Sequence, residues 1–366
     1  MKRFALGFSA VCLAATLVAC GGGGDGDQAP AIKYTTVVTF GDSLSDVGTY
    51  RVGLMKTMFK GGTYTINGEG NRNWTEFLSA QLGVTAPCSA QTGLNSSGAL
   101  AALAVATVSN NGCFNYAQGG ARVTDPVGPA NAALLSLDPP EAQGALGQLT
   151  VPVVSQIQNH LTAVGGAFSG SELVTVMAGG NDIFRKLAEV ALADDNPRNK
   201  TPEQAVADMA AAGGELASYV KDLIVAKGAK RTVVVNLVDV SKSPFAYSQS
   251  IDSQSLINAM VVAFNTELSK GLNGASDVLL VDAYTASRDQ AANPAQFGLT
   301  NATTPACNLS DPTNPLGSSL MCTKSNLVAG IDESKYLFAD SVHPTPTGYR
   351  LLAQLVAQKM IARGWL

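Results

Sequence analysis

The chain has 366 residues, 46% of them hydrophobic and 14% charged, with a formal net charge of −4. Its 37 Gly and 16 Pro are too few for a collagen-like or low-complexity chain, and its length and apolar content suffice for a sizeable core. No basic stripe of the kind that binds nucleic acid is present, and the low charged fraction fits an exported protein with a Ser/Thr/Asn/Gly-rich exterior.

Lys2 and Arg3 precede an apolar stretch, Phe4 to Ala19, that is too short for a membrane span. It ends Leu17-Val18-Ala19-Cys20-Gly21, which resembles a bacterial lipobox. Residues 1–19 are therefore expected to be a lipoprotein signal peptide and Cys20 the lipidated new N-terminus. Gly21 after that cysteine, rather than Asp, is compatible with outer-membrane sorting, on the periplasmic or surface face. Residues 20–34 read as a flexible Gly-rich tether. Gly21, Gly23 and Gly26 match G-x-G-x-x-G, but no strand precedes them and no helix follows, so no dinucleotide site is assigned. Residues 35–366 read as one folded domain.

Thr35 to Phe40 is a β-branched run, expected as the first strand, and it leads into Gly41-Asp42-Ser43-Leu44-Ser45-Asp46. A serine just past a strand's carboxyl end lies where open α/β sheets carry their sites, although a turn or helix cap uses serine equally well. Asn67 to Leu82 contains Trp74, which fits a core position better than a substrate platform. Cys88 to Cys113 interrupts the pattern as an insertion. Asn115-Tyr116-Ala117-Gln118-Gly119-Gly120-Ala121 follows it. Val151 to Leu161 reads as a helix containing His160. Leu173 to Met177 is a strand running into Gly179-Gly180-Asn181-Asp182. Pro202 to Lys227 is a helix with Thr201 as N-cap, ending near Gly228. Thr232 to Val238 and Val278 to Asp282 are strands on either side of a helix over Ile251 to Leu272. Phe297 to Asn326 is a second insertion. Asp340-Ser341-Val342-His343-Pro344 then precedes a last helix over Gly348 to Ala362. Short strands alternating with longer helices predict a parallel sheet covered on both faces.

Six cysteines are present, and Cys12 leaves with the signal while Cys20 takes lipid. Cys88, Cys113, Cys307 and Cys322 remain, an even number in an exported chain, with three pairings open. Local pairing, Cys88–Cys113 and Cys307–Cys322, closes the shortest loops and is preferred. Zinc is the rival, but the chain has no C-x-x-C pair and two histidines, so no metal is expected.

A serine nucleophile needs a base, and the base needs an acceptor that holds one tautomer. Asp340 and His343, three apart on a turn, meet that need locally, whereas His160 has no acidic neighbour beside it. Acyl transfer also needs donors aimed at a developing oxyanion, which bare glycines and an Asn side chain supply. The G-x-S-x-G elbow does not occur.

FGDSLSD, NYAQGGA, GGND and DSVHP, in that order, resemble the GDSL, or SGNH, family of serine esterases and lipases, from Phe40 to the final helix. The resemblance implies a three-layer, flavodoxin-like α/β/α sandwich with a mainly parallel five-stranded sheet, here carrying two disulfide-closed insertions. The four strands read from the sequence leave the fifth unplaced. The resemblance also implies that Ser43 is the nucleophile, His343 the general base and then acid, and Asp340 its orienting acceptor. The oxyanion hole would comprise the N–H groups of Ser43 and Gly120 and the side chain of Asn181, with Gly119 the substitute for Gly120. The implied activity is hydrolysis of carboxylic esters, small-molecule or lipid, through an acyl-enzyme and without a cofactor. Acyl transfer, carbohydrate deacetylation and phospholipid cleavage use the same triad. A silent surface binder would be expected to have lost a triad member, and a periplasmic solute binder needs two lobes where one is read. The Cys307–Cys322 insertion is expected to rim the pocket and set acyl or alcohol preference. The chain ends in a helix at Leu366 without a following barrel, so an autotransporter arrangement is not expected.

Overall fold

The computed structural model describes residues 32–366. The expected signal peptide, Cys20 and the tether as far as residue 31 lie outside the described residues. Tyr34, which the sequence assigns to the tether, is packed: its hydroxyl donates to the carbonyl of Trp365 at 2.8 Å.

In chain order the strands are β1 (Val37–Gly41), β2 (Gln91–Leu94), β3 (Val105–Ser109), β4 (Leu173–Met177), β5 (Thr232–Val235), β6 (Val278–Val281), β7 (Asn301–Pro305) and β8 (Tyr336–Phe338). The central sheet has the order β1-β4-β5-β6 and every pairing in it is parallel. Phe40 lies opposite Val176, and Val233 opposite Leu279. Alternate residues of a strand face opposite sides. Val38, Phe40, Val174, Val176 and Val234 therefore pack with Ile157, Met209, Met260 and Phe264 of the helices on one face. Val37, Leu173, Met177, Val233 and Val235 pack with Trp74, Leu78, Tyr349 and Val356 of the helices on the other. Burial on both faces explains why these strands read as unbroken apolar runs.

The sheet has four strands, not the five implied by the resemblance. Residues 114–118 occupy the fifth place, beside the free edge of β1. Thr39 N donates to Phe114 O (2.9 Å), Tyr116 N to Thr39 O (2.8 Å) and Gln118 N to Gly41 O (3.2 Å). Only Asn115 forms a bridge with Thr39, because the chain then swings away at Gly119-Gly120, where Gly120 has φ 80°.

The helices read from the sequence lie close to their expected places, while the Gly180–Val190 and Ala283–Ala292 helices were not among them. The Pro202–Tyr219 helix is opened by a Thr201/Gln204 capping box and continues as a π turn and a 3-10 turn to Lys227. The last helix spans Pro346–Arg363, with Thr345 as its cap. Strand β5 ends at Val235; Asn236 N still donates to Val281 O at 3.1 Å, while its side-chain oxygen accepts from Ala283 N and Tyr284 N. Both local disulfides form, with Cα separations of 5.0 Å for Cys88–Cys113 and 6.1 Å for Cys307–Cys322. The first insertion is the antiparallel pair β2–β3, and the second precedes β8, which pairs with β7 in parallel. A separate apolar cluster of Tyr50, Met55, Tyr64, Leu94, Leu103 and Leu320 joins both insertions to the segment after β1. Among the described residues no helix is long and apolar enough to cross a membrane.

Candidate active site

The carboxyl ends of β1 and β4 lie side by side, with Gly41 opposite Met177, and the segments that leave them build the site. Gln156, on the Val153–Ala163 helix, closes off β1. Its Oε1 accepts from Gly41 N, and its Nε2 donates to Gly41 O, each at 2.8 Å. The chain then turns through Asp42 and Ser43. Asp42 Oδ1 accepts from Leu44 N at 3.0 Å, and Asp46 Oδ1 from Gly48 N and Thr49 N at 2.8 and 2.7 Å.

Ser43 and His343 meet across most of the chain's length: Nε2 lies 2.9 Å from Ser43 Oγ. His343 Nδ1 lies 2.9 and 2.8 Å from the two oxygens of Asp340. Bonded this way, Nδ1 carries the proton and Nε2 is left to accept from the serine hydroxyl. Asp340 is buried, which alone would raise its pKa. The charge and hydrogen bond of His343, with hydrogen bonds from Ser319 and Val342, outweigh burial and hold the carboxyl well below the usual range. It therefore stays an anion and an acceptor at neutral pH.

The expected donors line the same cavity as Ser43. None of the internal hydrogen bonds among the described residues uses the N–H of Ser43 or Gly120. The Gly119 N–H is already engaged with Asp46 Oδ2 at 3.0 Å, which favours Gly120 over its neighbour as the free donor. A Cβ on Gly120 would lie 2.7 Å from Pro129 O and 2.8 Å from Gln148 Oε1, so only glycine fits. Asn181 follows Gly179 and Gly180 at the start of the Gly180–Val190 helix. One of its amide hydrogens is donated to Ala121 O at 2.8 Å, which orients the amide and leaves the other hydrogen for a ligand. Asp182 ties the same helix to the Gly120 segment: its oxygens accept from Arg122 Nε (3.0 Å) and Val123 N (3.1 Å).

Two buried carboxyls flank the site. Burial pushes Asp42 up to about 7, against the Leu44 N–H and the His343 charge, and nearby Asp182 adds to the rise. Burial likewise pushes Asp46 up to about 6, against the N–H groups it accepts.

Ser43, Gly120, Asn181 and His343 all line one cavity of about 400 Å³. Met177, Phe184, Leu237, Phe245, Leu337 and Leu352 form much of its wall, so its interior is mainly apolar. From the Cys307–Cys322 loop, Ser318 reaches it. Among the described residues no group of three or more His, Cys, Asp and Glu side chains is gathered as a metal ion would require.

Trp74 is fully buried, donating Nε1 to Ser45 Oγ at 3.1 Å, and belongs to the core. His160 is buried among Phe40, Phe114, Tyr116 and Phe168, and burial pushes its pKa down to about 4. Three residues at the site carry no sequence signal. The Tyr64 ring lies 4.6 Å from the imidazole of His343, centroid to centroid. Asn67 Nδ2 donates to the carbonyls of Ser319 and Cys322 at 2.9 and 3.0 Å. Ser319 N donates to Asp340 Oδ2 at 2.8 Å. Asp46, by contrast, was visible as the last residue of FGDSLSD, though not as a partner of Gly119.

A sequence profile of the family described as "GDSL-like Lipase/Acylhydrolase" matches residues 37–356. An "Uncharacterized protein in trpE-trpG intergenic region" of Pseudomonas putida is 27% identical over 352 residues, covering 91% of this chain and 49% of that protein. "Esterase EstA" of Pseudomonas aeruginosa is 28% identical over 374 residues, covering 94% of this chain and 48% of its own. The chain thus spans about half the length of these relatives. Among solved structures, an extracellular lipase of Streptomyces rimosus aligns over 89% of this chain and 99% of its own, at 15% identity and a TM-score of 0.42.

Proposed function

The chain belongs to the GDSL-like lipase/acylhydrolase family, and from that premise we propose that it hydrolyses carboxylic esters through an acyl-enzyme on Ser43. The observation that carries the reading is the continuous contact Ser43 Oγ–His343 Nε2–His343 Nδ1–Asp340, with 2.9 Å at its first link and 2.8 Å at its last. In this reading His343 Nε2 takes the hydroxyl proton as Oγ attacks the ester carbonyl carbon. Asp340, an anion throughout, stabilises the imidazolium that forms. The carbonyl oxygen becomes an alkoxide facing the N–H groups of Ser43 and Gly120 and the free amide hydrogen of Asn181. His343 returns the proton to the departing alcohol. Water then enters, gives its proton to His343, and releases the acid while Oγ is reprotonated.

The mainly apolar cavity favours esters with uncharged aliphatic groups. Ser43→Ala is expected to lower kcat for a short p-nitrophenyl ester by about 10⁶-fold. The fold, followed by circular dichroism, is expected to be kept. A fluorophosphonate probe should label the parent chain and not the variant. Undiminished hydrolysis by a folded Ser43→Ala chain would end the assignment.

The N-terminal sequence supports a companion proposal: residues 1–19 direct export, Cys20 carries lipid, and residues 35–366 act as a membrane-tethered catalytic domain at the outer membrane. Cys20→Ala would then abolish incorporation of a labelled fatty acid into the protein in bacteria.

A further inference from the structure

The Cys307–Cys322 loop reaches the Asp340 segment at two points, and the disulfide joins those points. Resting on the reading of Ser43, His343 and Asp340 as a triad, we propose that this cross-linked loop is a clamp that positions the Asp340 carboxylate.

The donors around that carboxylate divide into two sets. Oδ1 accepts from Val342 N at 2.9 Å and His343 N at 2.8 Å, both within the Asp340–His343 turn. Oδ2, which lies 2.8 Å from His343 Nδ1, accepts from Ser319 N at 2.8 Å. Among the described residues, Ser319 is the donor to this carboxylate that comes from outside the turn. Both oxygens turn together about one soft terminal torsion, and His343 Nδ1 lies within reach of each, so the donors of the turn itself leave the carboxylate free to move with the turn. Ser319 N, on Oδ2, ties that carboxylate to a segment outside the turn.

Ser319 stands three residues before Cys322. At the other end of the loop, Cys307 N donates to the carbonyl of Ala339, the residue before Asp340, at 2.9 Å. A closed path runs from Asp340 through Ser319 and Cys322, across the disulfide to Cys307, and back through Ala339. Both cysteines are buried. Without the cross-link, the ties left beside Ser319 would include the hydrogen bonds from Asn67 to the carbonyls of Ser319 and Cys322 and from Gly62 N to Leu320 O at 2.8 Å, which hold it less firmly than the closed path does. The loop between, with Asn308, Asp311 and Thr313, is bonded mainly to itself. Ser319 is thus a positioning residue, acting on Ser43 through Asp340 and His343. Loss of such orientation lowers kcat and leaves substrate binding in place.

The test compares the full chain with the double variants Cys307→Ser/Cys322→Ser and Cys88→Ser/Cys113→Ser. Each is assayed for kcat and KM on p-nitrophenyl butyrate and for solvent exchange of the His343 Nδ1 proton by NMR. The first double variant is expected to lose about tenfold in kcat with KM within twofold, and to exchange that proton at least tenfold faster. The second is expected to keep the parent's exchange rate. Should the first double variant not fold, Asn67→Ala in the cross-linked chain is expected to show the same pattern. Parent-like kcat and exchange in the folded variant, or equal changes in both double variants, would overturn the clamp. Ser43→Ala separates the two readings. It removes hydrolysis but should keep slow exchange, and retained hydrolysis in it would refute the triad whatever the clamp does.

Discussion

Asn181 has two amide hydrogens, and the one given to Ala121 O at 2.8 Å fixes the plane of the other. A donor preset in this way costs little reorganisation when charge develops, which is why single oxyanion donors are worth about 3 kcal/mol in the barrier. Asn181→Ala is therefore expected to lower kcat by about 10²- to 10³-fold, with KM nearly unchanged, in steady-state assays of a p-nitrophenyl ester. A change below twofold would remove Asn181 from the donor set. At this scale Ser43, Asp340 and His343 were legible because each sits in a short motif whose neighbours also have a task. Gly120 could be preferred to Gly119 by counting from Asn115, while the reason for the preference, that Gly119 N is engaged by Asp46, needed the structure. Tyr64 was illegible, since its contact with His343 depends on two chain segments brought together from far apart.

The four sheet strands are covered on both faces, and the unbroken apolar runs that result stand out in a sequence whatever their partners. The segment 114–118 also lies along the sheet, but its residues serve the edge of β1, the Cys88 segment and the glycine turn at once, so no strand-like run appears there. The insertions were recognisable by their cysteines and polar composition, and local pairing was the correct choice of three. Cys88–Cys113 closes a loop with a sequence separation of 25. In the chain-entropy account such a cross-link stabilises by about 3.5 kcal/mol. Cys88→Ser/Cys113→Ser should lose about that much in urea unfolding under non-reducing conditions. An unchanged midpoint and slope would show that the β2–β3 pair holds itself without the bond.

On the scale of the whole molecule, the helix layer that covers Phe40 also encloses His160 in an aromatic cage, with Phe168 at 4.7 Å and Tyr116 at 5.4 Å between ring centroids. Burial lowers its folded pKa to about 4, below the value of about 6.5 for an unfolded chain. The neutral ring thus contributes stability above pH ~6.5, and that contribution is lost as pH falls towards 4, because the unfolded chain takes up the proton first. The loss amounts to about 3 kcal/mol. Buried Asp42, at about 7, works in the opposite sense over the same range, favouring the folded state as pH falls. The informative quantity is therefore a difference: between pH 7 and pH 4.5 the Tm of His160→Leu should fall less than that of the parent. Parallel curves would mean that the imidazole gains a proton in the folded state as readily as in the unfolded one.

The alternation of strands and helices, the four motif blocks and the even cysteine count are properties of neighbours along the chain. They sufficed for the α/β class and the disulfide pairing, and for naming the motif residues that the fold brings to one cavity. Contacts between distant segments carry no comparable imprint, because many side chains can fill a given neighbour's place. Folding alone could therefore bring Ser319 N to Asp340, lay Tyr64 on His343 and set residues 114–118 along the free edge of β1, where the sequence placed no strand.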